Sequence, residues 1–268
     1  MKYLYPDGKP KALTFSYDDG QKWDVRLAEL FRSHGLKGTF NLNSSHLGDD
    51  DNGLFVNKNK LAEIYKDHEI AVHGVEHLNP MNLTDQELVI EIYQDRVNFE
   101  KLLGHPVQGM AYAYGAYNEH IIEVIKSLGI NYARTVGENH YFDVPKNFLA
   151  WDGTCHHNND LMKHGEEFLN CPDWKELPLM YVWGHSYEFG YSDDWSIIEN
   201  FVELVSGKDD IWYATNGEIC DYITAIRRLE HSADGSMVKN PTDQTIWYKS
   251  SSGNIETIKP SEIKTVVL

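Results

Sequence analysis

Two short stretches of the sequence combine residue types that bind metal ions and transfer protons. Asp18 and Asp19 are neighbours at the end of a predicted strand, and burying both carboxylates is costly unless a cation or a proton compensates. His73 and His77 follow another predicted strand, and their spacing of four places both imidazoles on one face of a helical turn. One carboxylate and two imidazoles form a three-ligand site with positions left for water or substrate, which is typical of catalytic zinc.

The same residues allow other interpretations. Asp-Asp-Gly is also a common turn after a strand, and two histidines four residues apart are by themselves a weak metal signal. Two histidines and one carboxylate also describe the non-haem iron(II) oxygenases, which usually have a jelly-roll fold. His156 and His157, near Asp160, are a further candidate metal pair, but a solvated loop is the simpler interpretation of that segment.

The elements that must position these residues alternate regularly between β-rich runs and amphipathic helical patterns. The predicted strands are Ala12–Tyr17, Gly38–Asn43, Glu69–His73, Met110–Tyr114, Asn131–Val136, Phe148–Thr154, Leu179–His185 and Ile211–Thr215. The predicted helices are Trp23–His34, Lys58–Lys66, Thr84–Leu103, Glu119–Leu128, Asp160–Leu169, Trp195–Val205 and Glu218–Leu229. This order predicts an α/β fold with a parallel sheet, and the number of units favours a closed barrel over an open, doubly wound sheet.

In a barrel of this kind, reactive side chains come from the carboxyl ends of the strands. The residues at the predicted ends are Asp18-Asp19-Gly20, Asn41–Asn43, His73–His77, Tyr114-Gly115, Asp152 and His185. Most of these ends carry an acid or a histidine, so the sequence predicts one chemical site on this face. The first strand–helix turn lacks the glycine-rich phosphate-binding motifs, which gives nucleotide binding no support.

The character of the chain changes after Glu230. Residues 232–268 are rich in turn-forming residues, and the runs Ile246–Tyr248 and Ile255–Ile258 predict a hairpin that packs on the barrel. We therefore divide the chain into a catalytic barrel, residues 1–231, and a C-terminal hairpin extension, residues 232–268.

Two of these stretches resemble motifs of a known family. Thr14–Gly20, which reads TFSYDDG, resembles the first motif of the polysaccharide deacetylase family, also called the NodB-homology domain or carbohydrate esterase family 4. His73–His77 resembles the second motif, H-[ST]-x-x-H, with Gly74 in the place of the serine or threonine. The motif positions extend from Thr14 to His185.

The resemblance implies a fold, a metal centre and a general base. The fold would be the family's distorted, TIM-like (β/α) barrel of about seven strands. Asp19, His73 and His77 would hold a divalent metal ion, with zinc expected and cobalt, nickel or iron as alternatives. Asp18 would be the general base that deprotonates the attacking water.

The third motif, R-x-P-Y-G, is matched only in its last two residues, within Met110–Gly115. The resemblance implies that the Tyr114 backbone N–H helps to hold the oxyanion. The arginine that usually orients the base is absent, because Ala111 stands at its place. Arg134, in the next predicted strand, is either its replacement from another direction or an ordinary structural arginine.

The last two motifs are also altered. Trp151-Asp152 lies roughly where the fourth motif has an aspartate–tryptophan pair, in reversed order. Trp183-Gly184-His185 resembles the fifth motif, L-x-H, with Trp183 in the place of the leucine. By this resemblance His185 is the general acid, and Asp152 steadies it.

Composition excludes several classes of partner. The 24 Lys and Arg residues against 41 Asp and Glu residues give a formal net charge of −17, which repels phosphate backbones and argues against nucleic acid. Apolar stretches such as Pro178–Trp183 are far shorter than the ~20 residues of a membrane span. The first residues show no signal-peptide pattern, so we expect a cytoplasmic protein, or an exported one if a leader is missing from the sequence.

The sequence therefore predicts a metal-dependent hydrolase that acts on carbon–nitrogen bonds and removes an acetyl group from an N-acetylated sugar or oligosaccharide. A deacylase of a non-sugar amide or of a sugar O-ester is the first alternative. A carbohydrate-binding barrel without catalysis is the second, and it is motivated by the missing arginine. The partner in each sugar hypothesis is a carbohydrate, acetylated in the enzymatic case, and the oligomeric state stays open.

Overall fold

The computed structural model describes residues 1–266. Its strands in chain order are β1 (Lys2–Leu4), β2 (Lys11–Asp18), β3 (Thr39–Leu42), β4 (Glu69–Val72), β5 (Gly109–Ala111), β6 (Tyr132–Glu138), β7 (Trp151–Gly153), β8 (Cys155–His156), β9 (Leu179–Gly184), β10 (Ile211–Tyr213), β11 (Glu230–His231), β12 (Met237–Lys239), β13 (Ile246–Lys249), β14 (Ile255–Ile258) and β15 (Ile263–Thr265).

The helices lie between these strands. They are α1 (Asp24–Ser33), α2 (Leu61–Ile64), α3 (Asp85–Val89), α4 (Asp95–Leu103), α5 (Glu119–Ser127), α6 (Leu161–Leu169), α7 (Ser186–Ser192), α8 (Ser196–Val205) and α9 (Asn216–Arg227). A π-helical turn, Ile90–Gln94, joins α3 to α4. Short 3-10 turns occupy Pro6–Gly8, Lys58–Lys60, Pro80–Asn82, Ala113–Gly115 and Phe148–Ala150.

The central sheet is parallel throughout and has the order β7-β6-β5-β4-β3-β2-β9-β8, with β10 paired to the first residues of β2. Its two ends approach each other at Thr154, between β7 and β8. The Thr154 N–H donates to the Tyr181 carbonyl in β9 (2.7 Å), and the Tyr181 N–H donates back to the Thr154 hydroxyl (3.0 Å). This contact brings the sheet round into a distorted barrel with helices outside, so the predicted α/β fold is confirmed.

The strand register brings the predicted site residues to one end of the barrel. β2 is buried along its whole length and pairs with β3 on one side and β9 on the other. Tyr17 lies opposite Gly184, so Asp18 and His185 follow paired positions on neighbouring strands. β4 lies beyond β3 and delivers His73 to the same end.

The predicted C-terminal hairpin is also present. β13 and β14 pair antiparallel, and β13 continues the pairing with β1 to make a three-stranded sheet. A second small antiparallel sheet has the order β11-β12-β15. The division of the chain at residue 231 stays a prediction, and Val267 and Leu268 of the predicted extension lie outside the described residues.

Several elements differ from the sequence prediction. The strand predicted over Phe148–Thr154 begins with a 3-10 turn, Phe148–Ala150, and the helix predicted over Lys58–Lys66 is a 3-10 turn followed by the short α2. The helix predicted over Thr84–Leu103 contains the π-helical turn. The strand predicted over Met110–Tyr114 ends at Ala111, because Tyr114 has a left-handed backbone (φ 59°) that no strand accommodates. The segment Ser186–Ser192, which was not predicted to be helical, is a helix that begins directly after His185.

Candidate functional site

β2 ends in two carboxylates with different surroundings. Asp18 is buried, and its Oδ1 accepts a hydrogen bond from the Nδ2 of Asn41 in β3 (2.8 Å). Asp19 has a left-handed backbone (φ 79°), and so does Gly20 (φ 67°), so the strand stops and the chain turns. This turn directs the Asp19 carboxylate towards two histidines while its side chain remains 19% exposed. The two neighbouring acids are thereby separated into a buried one and an accessible one.

His73 follows β4 and is almost fully buried. Its Nδ1 lies 2.8 Å from the carbonyl oxygen of Ala111 at the end of β5. A ring nitrogen next to a carbonyl carries the proton, so the lone pair of His73 is on Nε2, which faces Asp19. Burial lowers the pKa of His73, which favours the neutral imidazole that a metal ion requires.

The loop that carries His77 is held by a carboxylate that the motif does not include. Glu91 lies on the π-helical turn, is buried, and accepts hydrogen bonds from the N–H groups of Glu76 and Leu78 (both 3.0 Å). The glycine at position 74 has φ +89°, and a Cβ there would meet the Glu91 Oε1 at 2.5 Å. The departure from serine or threonine at Gly74 therefore makes room for the Glu91 carboxylate, which positions the residues on both sides of His77.

The side chains of Asp19, His73 and His77 converge on one point. The Nε2 atoms of the two histidines are 3.1 Å apart, and the Asp19 Oδ1 lies 3.6 Å from His73 Nε2 and 3.5 Å from His77 Nε2. Ligand atoms bound at about 2.0–2.1 Å around a tetrahedral ion are separated by about 3.3–3.4 Å. The three atoms therefore fit a divalent ion such as zinc, and they leave a position free for water or substrate.

Arg134 supplies the positive charge that the third motif lacks. Its side chain is fully buried, and its Nη2 donates to the Asp18 Oδ2. Burial by itself raises the pKa of Asp18, but the charges of Arg134, His73 and His185 outweigh it and hold that pKa at about 2. The guanidinium also lies over the Trp183 ring, 4.6 Å from its centroid. Arg134 is thus the partner of the predicted base, and Trp183 packs against it.

His185 reaches the same place from β9. Its Nε2 lies 4.0 Å from the Asp18 Oδ2, and its Nδ1 lies 3.0 Å from the Glu188 Oε1, one turn later in α7. Burial lowers the pKa of His185, but Glu188 and the two aspartates outweigh it, so the net shift is upward. Asp152 was expected to steady His185; instead its Oδ1 accepts from the Thr135 hydroxyl, and the carboxylate beside His185 belongs to Glu188.

Tyr114 lies at the open side of the cluster, in the 3-10 turn after β5. Its ring contacts that of His77 with centroids 4.6 Å apart, and the residue is 65% exposed. The left-handed backbone at Tyr114 turns the chain at the rim of the site. The placement is compatible with the predicted contact between its N–H and a substrate oxygen.

Glu91 and Glu188 are the site residues that sequence reasoning missed. Glu188 had a local signal, since His185 and Glu188 are three residues apart, the spacing at which side chains meet on a helix. That signal was hidden because the aromatic-rich segment after His185 was not predicted to be helical. Glu91 is remote from His77 in sequence, and only the packing of the π-helical turn against the loop brings them together.

Residues 6–133 match the sequence profile of the family described as polysaccharide deacetylase. The matched segment includes the candidate base and the three candidate metal ligands, and their side chains meet at the end of the barrel. These residues are Asp18, Asp19, His73 and His77. This segment, just under half of the chain, is similar to the polysaccharide deacetylase family. A polysaccharide deacetylase hydrolyses carbon–nitrogen bonds, so this match agrees with the reaction class that the sequence predicts. A search of the curated proteins finds no match.

Solved structures of this family share the fold. A candidate polysaccharide deacetylase from Mycobacterium smegmatis has 17% sequence identity and a TM-score of 0.64, over 84% of this chain and 94% of that one. The family 4 carbohydrate esterase from Streptomyces lividans, solved with acetate, has 13% identity and a TM-score of 0.53, over 76% and 91%. A family 4 pseudoenzyme from Bacillus anthracis has 15% identity and a TM-score of 0.51, over 82% and 68%.

At these identities the likeness concerns the fold alone. The family's fold supports both an esterase and a pseudoenzyme, so activity has to be argued from the site. Among residues 1–266, no helix has the length and apolar character needed to cross a bilayer.

Proposed function

We propose that this protein is a metal-dependent hydrolase that removes an acetyl group from an N-acetylated sugar or short oligosaccharide. The observation that carries the proposal is the convergence of Asp19, His73 and His77 within 3.6 Å of one another, beside the buried Asp18–Arg134 pair. A divalent ion held there would acidify a water molecule and polarise the acyl carbonyl. Zinc is the proposed ion, because the ligand set is two imidazoles and one carboxylate.

Asp18 would act as the general base. One of its oxygens is engaged by Asn41 and the other by Arg134, so its carboxylate is held in one orientation. A carboxylate with a pKa of about 2 is a weak proton acceptor, since proton transfer is most effective when the base titrates near the working pH. Asp18 therefore requires a water molecule whose own pKa has been lowered, which supports a role for the ion.

His185 would act as the general acid. Its Nε2 lies on the Asp18 side, and its Nδ1 faces the Glu188 carboxylate, which favours the protonated imidazole. Water adds to the acetyl carbon, Asp18 accepts its proton, and the carbon–nitrogen bond breaks as His185 donates a proton to the departing nitrogen. The products are acetate and the free amine. The Tyr114 N–H would donate to the oxygen that develops negative charge.

Aromatic side chains at the rim support a sugar as the substrate. Tyr187 stacks on His185 with centroids 4.8 Å apart, and Tyr191 packs edge-on against Trp23 at 4.6 Å. Tyr114 and Tyr191 are each 65% exposed, which leaves their faces available to the apolar face of a pyranose ring. A non-sugar amide or a sugar O-ester would use the same catalytic residues.

The proposal can be tested with a chelator and two variants. Acetate release from short N-acetylated amino-sugar oligomers should disappear after chelation and return with one equivalent of Zn²⁺. Asp18→Asn should lower the turnover rate by about 10²–10⁴-fold while the protein still binds the ion. The matched variant His120→Ala, at an exposed ion pair with Asp85, should retain turnover.

If no N-acetylated sugar releases acetate but simple acetyl esters do, the substrate is an ester and the first alternative is favoured. Absence of any turnover from zinc-loaded protein, together with retained sugar binding, would favour the binding barrel. Arg134 reduces the motive for that alternative, because it pairs with the base that the missing motif arginine would have served.

A further inference from the structure

A second group of metal-ligand residues lies beside the first, on the His185 side of the barrel end. The interpretation of His156 and His157 as part of a solvated loop is wrong, because the His157 side chain is fully buried and that of His156 is only 13% exposed. The Glu188 carboxylate faces both: Oε1 lies 3.5 Å from His156 Nε2, and Oε2 lies 2.8 Å from His157 Nε2.

The burial of His157 is unusual because its polar atoms are not satisfied. Among residues 1–266, neither ring nitrogen has a well-aligned hydrogen-bond partner, although Nε2 is close to Glu188. The ring lies between Tyr17, stacked at 5.6 Å, and Phe189, tilted at 4.3 Å. The backbone at Gly184 closes the Nδ1 side, where a Cβ would approach to 2.0 Å. Within the described part of the chain, Nε2 has no aligned hydrogen-bond partner and faces the Glu188 carboxylate, so it is placed to share a cation with that carboxylate.

The three residues are close enough to share one ion. One ligand atom from each of them lies within 4.8 Å of the other two. A tetrahedral ion holds its ligands about 3.3 Å apart, so an ion bound here would draw the three side chains together. The Glu188 side chain is 27% exposed, which gives an ion a path from solvent.

We propose that His156, His157 and Glu188 bind a second divalent cation of the zinc class, distinct from the ion at Asp19, His73 and His77. The site's one carboxylate is also the partner of His185 Nδ1. Asn158 Nδ2 lies 2.6 Å from the same carboxylate, so the oxygens of Glu188 are already shared among several donors. An ion here competes with His185 for Glu188, and excess zinc therefore inhibits the enzyme by releasing its general acid. The binding part stands alone, while the inhibition part rests on the proposed function.

The binding part is tested by titrating metal-free protein with Zn²⁺ and measuring bound metal after equilibrium dialysis. Wild-type protein should bind two ions per chain, the second more weakly. His156→Ala should bind one, and Asp19→Asn should keep the weaker ion. A crystal soaked in excess Zn²⁺ should give two anomalous peaks, with the second between His156, His157 and Glu188.

The matched control is His140→Ala, which removes an exposed histidine that stacks on His164. This variant should still bind two ions. If His156→Ala unfolds, His156→Gln keeps the side-chain volume closer and tests the same ligand. One ion per chain in wild-type protein at saturation, or a second ion that survives both His156→Gln and Glu188→Gln, overturns the proposal.

The inhibition part has a separate readout. Zinc beyond one equivalent should slow wild-type turnover but leave His156→Ala unaffected at the same concentrations. If wild-type protein shows no turnover with any metal, the proposed function fails while the dialysis result still decides the second site. If two ions bind and turnover is insensitive to the second, the competition for Glu188 is refuted and the binding site stands.

Discussion

The two sides of the barrel end contribute to the candidate site in different ways. The strands β2 and β4, within the segment that matches the family profile, supply Asp18, Asp19, His73 and His77 at the motif positions. Arg134 in β6 and His185 directly after β9 lie beyond that segment, and α7 adds Glu188. On this second side, Arg134 supplies the charge beside the base Asp18, and Glu188 supplies the charge beside the acid His185. Neither residue belongs to a motif of the family.

The difference reflects how directional each interaction is. A metal ion requires three ligand atoms at nearly fixed distances and angles, so few residue types in few backbone positions satisfy it. A supporting charge acts through Coulomb attraction, which depends on distance and on burial rather than on the direction of approach. Arg134 can therefore replace an arginine at position 111, and Glu188 can take the place expected for Asp152, without disturbing the ligands.

The largest effects should come from the first side, at the paired aspartates. Asp19→Asn replaces an anionic ligand by a neutral amide. Removal of a residue that only hydrogen-bonds to a metal ligand lowers metal affinity by about 10–100-fold, so the loss of zinc affinity in Asp19→Asn should be larger than that. Asp18→Asn should keep the metal and lower the rate by about 10²–10⁴-fold, as for loss of a general base. Metal content and rate are measured on both variants. If Asp18→Asn loses the metal and Asp19→Asn keeps it, the two roles are exchanged.

The second test removes the charge that replaces the motif arginine. Arg134→Met leaves Asp18 buried without its counter-charge, and breaking such a buried pair should lower the free energy of unfolding by about 3–5 kcal/mol. The pKa of Asp18 should rise, so the acid side of the pH–rate profile should move towards neutrality. Arg26→Met, which breaks an exposed ion pair with Glu199, is the control and should cost about 1 kcal/mol or less. Equal losses in the two variants would contradict a special role for Arg134.

The third test concerns the departure within the second motif. Gly74→Ala places a Cβ against the Glu91 carboxylate, which should displace it from the loop around His77 and lower zinc affinity by about 10–100-fold. Gly35→Ala is the matched control, because Gly35 also has a left-handed backbone (φ +68°) but no atom lies within 4 Å of the added Cβ. Zinc binding by the two variants is compared by competition with a chelator. Unchanged affinity in Gly74→Ala would show that Glu91 does not position His77.

The smallest expected effect is a shift of the pH–rate profile. The folded protein raises the pKa of His185 above the ordinary value for histidine, so His185 stays protonated to higher pH than a free imidazole does. The rate should fall as pH rises through that pKa, because His185 then loses the proton that it must donate. Glu188→Gln removes the charge that contributes to this shift, so the alkaline limb should move to lower pH. Asp152→Asn should leave the limb where it is, since Asp152 pairs with Thr135. The profiles are recorded with one equivalent of zinc, and a shift in Asp152→Asn instead would restore the role first expected for that residue.

The residues of the candidate metal centre were readable from the sequence for a local reason. Asp18 and Asp19 directly end one strand, and His73 and His77 follow another, so strand prediction alone places them at one end of a parallel barrel. The alternation of strands and helices was equally readable, because burial on a sheet and on a helix face leaves different periodicities in the chain.

The supporting residues could be assigned only from the tertiary structure. Arg134 meets Asp18 across 116 positions of the chain, and the Glu91 carboxylate reaches the loop around His77 through a π-helical turn that no hydrophobic pattern indicates. The burial of His157 depends on Tyr17 and Phe189, which are distant from it in sequence. Local spacing in the sequence determines which side chains share a strand end. The partner of a buried charge is set instead by packing between elements that are remote in sequence, because any donor that reaches the right distance can satisfy that charge.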